Sequence, residues 1–140
     1  PAAGANASDN DNSCALMVAG RGGSALLLAD PESEAEESLL SQALASDVVL
    51  LPHHGSRTSS SLRLVAAVRA RLGIVSAGLG NRWGMPDATV VARWRAAGTS
   101  VLNTADTGAV TVRFGMRSGA IEVRAQRLET RRWWHRKPPA

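Results

Sequence analysis

The chain has a single cysteine, Cys14, so no internal disulfide can form and no cysteine cluster exists for a zinc finger. Its neighbours Ala15 and Leu16 predict a small buried hydrophobe. With no basic partner nearby, Cys14 is a poor nucleophile candidate. No apolar run approaches the ~20 residues that a membrane-spanning helix needs. Glycine is frequent but never takes the spacing of a P-loop or a dinucleotide-binding turn. There is no internal repeat, no interdomain linker and no signal peptide, and Pro1 is not a natural first residue. The chain is expected to be a piece of something longer, whose other parts can carry targeting or membrane segments.

What is present suits one globular domain. The chain has 140 residues, 44% of them hydrophobic, and a formal charge of +4 in which arginine dominates the basic residues. Such a surface favours phosphate-rich partners, and surplus arginine also follows from GC-rich coding.

Residues 1–12 are small and polar and read as a flexible lead-in. Residues 13–19 and 24–29 predict a hairpin around Gly20–Gly23, apolar enough to be buried on both faces. Pro31 and the glutamates at 32, 34, 36 and 37 predict a helix start, and the helix runs to about Ala45. Ser33 and Glu36 have capping-box spacing, and the glutamates read as a solvated N-terminus matched to the helix dipole. Residues 47–51 and 73–77 read as buried strands, with a helix from about 60 to 70 between them that carries Leu62, Val65, Ala66 and Arg69 at helical spacing. Asp87 is the N-cap of a helix over 88–97, and Gly98 is its stop. A strand begins at Ser100–Asn103. Residues 109–114 and 120–127 then alternate apolar and polar, so that Val110, Val112 and Phe114 pair with Ile121, Val123 and Ala125. The order β-β-α-β-α-β-α-β-β-β predicts an α+β fold, a mixed sheet with helices on one face and antiparallel strands at one edge. The domain is assigned to 13–128. The tail over 129–140 sets Arg131, Arg132, Arg136 and Lys137 around Trp133 and Trp134, a pattern that fits contact with DNA or lipid, or plain solubility.

Chemistry gathers around Leu50-Leu51-Pro52-His53-His54-Gly55-Ser56. Asp30, His53 and His54 each follow an apolar strand, and if those strands are neighbours the three side chains converge at one sheet edge. A carboxylate with imidazoles suits zinc or manganese. From spacing alone Asp30 reads first as a helix N-cap, and the histidines read equally as a structural pair bonded to backbone. Ser56, Thr58 and Ser59 can hold a phosphate at a helix start or simply cap it. In the loop Asn81-Arg82-Trp83-Gly84-Met85-Pro86, the arginine beside tryptophan can bind phosphate and stack a base, or the indole can cover a core edge.

Taken in order, Asn12-Ser13, Leu27-Leu28-Ala29-Asp30, Glu36 with Leu39-Leu40, Leu51-Pro52-His53-His54-Gly55-Ser56 with Thr58-Ser59, Ser76-Ala77-Gly78, Asn81-Arg82-Trp83-Gly84 with Pro86, and Ala97-Gly98 with Thr104 and Gly108 form one pattern. It resembles the C-terminal half of the metallo-β-lactamase-like domain of the ComEC family, the DNA-uptake channel proteins of bacterial competence. The resemblance covers about Asn12 to Arg127. It implies half of an αββα sandwich with a two-metal phosphodiesterase site at the sheet edge. Asp30 would bridge metals, His54 would ligate one, and His53 would stand behind or face the phosphate. Ser56, Thr58, Ser59, Asn81 and Arg82 would meet substrate. The implied cofactor is a divalent metal, with no small-molecule cofactor. The implied partners are single-stranded DNA, the N-terminal half of the same domain and membrane-channel segments, on the periplasmic side of a bacterial inner membrane. The family's His-x-His-x-Asp-His motif is absent, and Met85 stands where a histidine is usual. The isolated chain is therefore expected to be inactive. The alternative is a non-catalytic DNA-binding or structural module on a degenerate version of the fold.

Overall fold

The structure is a computed structural model in which residues 10–116, 119–130 and 132–134 are described. Arg117 and Ser118, most of the lead-in and most of the basic tail lie outside them.

Five strands form one mixed sheet in chain order: β1 (Leu16–Gly20), β2 (Gly23–Leu27), β3 (Val48–Leu50), β4 (Leu72–Val75) and β5 (Ser100–Asn103). β2 to β5 are parallel, and β1 runs antiparallel at the edge. Each parallel step needs a crossover, supplied by α1 (Ser33–Leu39), α2 (Leu62–Val68) and α3 (Ala88–Ala96). The class is α+β with a mixed sheet, as the element order predicts.

Register decides the two faces of the sheet. Met17, Leu26, Val49, Gly73 and Val101 lie in one row. That face holds the core, where Leu26, Val49 and Val75 pack with Leu64, Val65 and Val68 of α2 and with Val90 and Trp94 of α3. Gly73 makes room there, because a Cβ on it would lie 2.7 Å from the Leu51 side chain. The opposite row is Leu16, Leu27, Leu50, Ile74 and Leu102. Leu16 is 57% and Leu27 37% exposed, and Val18, on the same face, is 53% exposed. Only part of this face is covered. A separate two-stranded sheet, β6 (Val110–Phe114) and β7 (Ile121–Ala125), does so together with the single turn α5 (Gln126–Glu129). Val123, Ala125 and Leu128 face Leu72 and Leu102 across a cavity of about 410 Å³.

The cross-strand pairs of that hairpin, Val110 with Ala125, Val112 with Val123 and Phe114 with Ile121, match the alternation in the sequence. Its place does not, because these strands form their own sheet instead of closing the edge beyond β5. The single turn α4 (Thr104–Thr107) diverts the chain. It is started by Asn103, which accepts from the Ala105 N–H at 2.9 Å, and ended by Gly108 at φ 72°.

Other expectations need correction. β1 is an exposed edge strand because no described strand pairs with its outer side, and Cys14, just ahead of it, is exposed too. Helix α1 ends at Leu39, where Gln42 N–H turns back to the Leu39 carbonyl, although Leu44 still reaches the core. Ser61 accepts from Leu64 N–H and sets the phase of α2, so Leu62 points to solvent and the buried stripe is Leu64, Val65 and Val68. Asp87 caps α3 through Thr89 N–H, and Gly98 follows it at φ 89°, as predicted. Among the described residues no helix is long and apolar enough to cross a membrane.

Two outcomes follow. Replacing Leu16 and Val18 together by lysine should leave unfolding free energy within about 0.5 kcal/mol per site and reduce binding of an apolar fluorescent dye. The Asp87 carboxyl is held below its ordinary value of 3.8, first by the Thr89 hydroxyl and then by the Thr89 N–H. A depressed carboxyl stabilises the fold above its unfolded value, and that contribution is lost as pH falls through the lower folded one. The gap in melting temperature between the native chain and Asp87→Ala should therefore be full above pH 3.8 and shrink below it.

Candidate functional site

The carboxyl ends of parallel strands are where open sheets place their ligands, because the loops leaving them diverge. Here Asp30 follows β2, His53 and His54 follow β3, and Ser76 to Gly78 follow β4. Neighbouring strands bring these loops together, and Asp30 Oδ1 lies 3.9 Å from His54 Nε2 with both side chains about half exposed. The spacing in sequence is 24 residues, and parallel pairing of β2 with β3 removes it.

The backbone at this end is strained. Among the described residues, five other than glycine have positive φ: Ala29, His53, His54, Ser60 and Arg69. Arg69 is an ordinary left-handed helix cap. The other four belong to the loops that carry Asp30 and the two histidines. Each such conformation costs roughly 1–3 kcal/mol, which surrounding contacts must offset. Here His53 N–H donates to Ala29 O at 2.9 Å, and Ser56 N–H donates to His53 O at 2.8 Å. Gly55, at φ 76°, accepts from Asp87 N–H at 2.9 Å and has Pro86 packed against it, where a Cβ would meet the proline at 2.7 Å.

His54 Nδ1 is 2.7 Å from Ser76 O. A carbonyl only accepts, so Nδ1 carries the proton, and in the neutral ring Nε2 is bare. A bare nitrogen therefore faces a carboxylate oxygen. Two acceptors held face to face are complementary to a cation. Zinc bonds of about 2.0–2.2 Å at a tetrahedral angle set two ligand atoms about 3.3–3.6 Å apart, so the pair at 3.9 Å would close slightly to hold a divalent ion. Fixing one imidazole nitrogen by a backbone carbonyl is also how metal-binding histidines are oriented. Among the described residues, however, no three His, Cys, Asp or Glu groups come together as a metal shell. His53 stands apart from the pair. It is 17% exposed, and its buried Nδ1 has no hydrogen-bond partner, the nearest carboxylate being Glu32 at 3.9 Å.

The remaining candidates divide by what their polar atoms already do. Ser56 and Thr58 hydroxyls lie 3.1 Å apart at the surface. Ser59 is fully buried and bonds Pro52 O at 3.0 Å and Ser56 O at 2.9 Å, which braces the histidine turn. Asn81 closes its own loop. Its amide donates to Gly78 O and Met85 O at 3.0 and 2.6 Å, and its carbonyl accepts from Met85 N–H at 2.9 Å. Arg82 lies over the Trp83 ring, 4.4 Å from the centroid, and Trp83 is 67% exposed.

Glu36 is not part of a solvated helix start, contrary to what its acidic neighbours predict. It is 0% exposed and does not close a capping box with Ser33. Its carboxyl reaches across to the segment ahead of α2, accepting from Ser60 N–H at 2.5 Å and Ser61 N–H at 2.8 Å. From the other side, Arg93 of α3 donates to Ser60 O and, at 3.3 Å, to Ser59 O. The signal was present in the sequence, since Glu36 lies three and four residues before Leu39 and Leu40, inside the apolar stripe.

Glu36→Ala leaves one buried and one partly buried N–H group without an acceptor and should cost about 2–4 kcal/mol of unfolding free energy, with Glu36→Gln about half as costly because one acceptor survives. Denaturant titration checks both.

Three relatives match nearly the whole chain. An uncharacterized protein, YcaI, of Escherichia coli strain K12 is 35% identical over 96% of this chain. A protein of Neisseria gonorrhoeae named competence protein ComA is 38% identical over 95% of the chain. A protein of Haemophilus influenzae named recombination protein 2 is 34% identical over 91%. No protein-family model and no solved structure matches. The chain spans only 18%, 19% and 16% of these three relatives, so it is similar to one segment of longer proteins, two of them named for competence and recombination.

Proposed function

We propose that the chain is the second half of a metallo-β-lactamase-like αββα sandwich, and that it carries part of a metal-dependent phosphodiester hydrolase centre in a ComEC-like DNA-uptake protein of natural transformation. The observation that carries this reading is the facing pair, Asp30 Oδ1 and His54 Nε2, 3.9 Å apart at the ends of neighbouring parallel strands. The names of the relatives support the biological setting. The bare apolar face that presents Leu16, Val18 and Leu27 supports the half-sandwich, because such a face suits a second sheet.

In this reading Asp30 and His54 are metal ligands, and the rest of the shell comes from the half that precedes this chain in the whole protein. The ion, zinc or manganese, supplies Lewis-acid activation of water and of a phosphoryl oxygen. Asp30 contributes the negative charge that a divalent ion needs. His54 contributes a neutral nitrogen whose direction Ser76 fixes. His53 stands behind the pair and keeps the turn in register through its bonds to Ala29 and Ser56. The hydroxyls of Ser56 and Thr58 and the guanidinium of Arg82 offer donors to a phosphate, while Ser59 and Asn81 hold the loops that present them. The substrate is single-stranded DNA entering through membrane-channel segments of the same protein, with this domain on the periplasmic side. A second reading, a DNA-binding module without catalysis, draws on the two-member ligand set among the described residues and on Met85.

The test compares the purified chain with a version extended through the preceding half. The chain alone should bind manganese or zinc weakly, measured by calorimetry, and should not cleave a single-stranded oligonucleotide. The extended protein should cleave it, with activity reduced at least about 100-fold in Asp30→Asn and in His54→Ala. Turnover by the chain alone, or full activity in either variant, overturns the assignment, and no turnover in either form favours the non-catalytic module.

A further inference from the structure

Beside His54 lies a small cavity of about 130 Å³, walled by the imidazole, by Ala77 and Gly78 behind β4, and by Trp83 and Met85 in front. The loop that carries Trp83 is not slack. Asn81 makes three hydrogen bonds within it, and its far end is fastened to the histidine turn through Asp87 N–H and Gly55 O. A braced loop therefore holds a large aromatic ring 67% exposed at the mouth of a mostly apolar slot. A ring that served only to cover the core would be turned inward, as Trp94 is. Arg82 stacks on that ring at 4.4 Å from its centroid, and no carboxylate among the described residues forms a salt bridge with it.

An indole face, an apolar slot and an unpaired guanidinium together match one nucleotide unit, a flat base joined to a phosphate. We infer that the slot between His54 and Trp83 is a base-binding subsite, which stacks an unpaired nucleobase on Trp83 while Arg82 meets the adjoining phosphate. This rests on the phosphodiester reading above and goes further, since it assigns how one strand is held beside the His54–Asp30 pair. A base inside a duplex has both faces covered by its neighbours, so the slot selects strands whose bases are free. Stacking is indifferent to sequence because every base has a π face. The site should therefore distinguish strand state and not base identity.

Fluorescence anisotropy with a labelled thymidine hexamer, an abasic hexamer of equal phosphate count and a duplex tests this on the whole chain. The native chain should bind the base-bearing strand about 10-fold tighter than the abasic one and tighter than the duplex. Trp83→Ala should bind the two single strands equally, and Trp83→Phe should restore most of the preference. Arg82→Ala should weaken both single strands alike and lower the salt slope by about one unit. A native chain with no base preference, or a preference unchanged in Trp83→Ala, overturns the subsite. Measuring metal-dependent cleavage of both single strands by the extended protein separates the two ideas. Cleavage with no base preference removes the subsite and leaves the hydrolase centre standing, whereas base-dependent binding without cleavage leaves the subsite and removes the hydrolase.

Discussion

The buried carboxyl of Glu36 fastens three parts of the chain that share no strand. It sits on α1, accepts from the backbone of Ser60 and Ser61 ahead of α2, and faces Arg93 of α3 across the same peptide units. Removing a carboxyl from water is costly, so it persists there because two backbone donors replace lost hydration, while Arg93 serves the Ser59 and Ser60 carbonyls of the same segment. That requirement fixes where residues 56–61 run, and with them the histidine turn just before. The first helix reinforces the arrangement, since both the N–H and the hydroxyl of Ser33 donate to Thr58 O.

Such fastening has a purpose in the backbone that it restrains. His53 and His54 are consecutive left-handed residues with side chains on their β-carbons, a combination that a free loop would leave. The conformation survives because the turn is held from both ends, by Ala29 at its start and by Asp87 and the Glu36–Ser60 contact after it. It brings Nδ1 of His54 onto Ser76 O, and that bond in turn leaves Nε2 bare toward Asp30. Strain, tautomer and facing acceptors are thus links of one chain of cause.

Local rules made much of this legible. Apolar runs separated by helical segments identified the strands, the Asp87 cap and Gly98 bounded α3, and the alternation at 110–125 predicted the cross-strand pairs of the hairpin. The sequence makes the meeting of Asp30 with the histidines conditional on their strands being neighbours; β2 and β3 are, and of the two histidines it is His54 that faces Asp30. What escaped depended on contacts between elements. A capping box is a local device, and it yielded to a longer reach by Glu36, whose place in the apolar stripe signals burial while its partners at Ser60 and Ser61 lie outside any spacing in α1. The hairpin left the main sheet because α4 turns the chain, and a single turn of helix carries little signal in composition.

On the proposed reading two observations point the same way: among the described residues only Asp30 and His54 meet as ligands, and one sheet face is partly bare. The exposed side chains Leu16, Val18 and Leu27 lie on β1 and β2, and Asp30 leaves the end of β2. A second sheet laid over that face would have its own strand ends close to the same rim, as aligned sheets packed about 10 Å apart do. One docking event would therefore bury the apolar row and bring further ligands to the gap between Asp30 and His54. By contrast, a module that had merely lost its metal would have no reason to keep a bare apolar face, since selection for solubility acts on it directly. On the proposed half-sandwich reading, the two features have one explanation, in which the core and the site would be completed at a single interface.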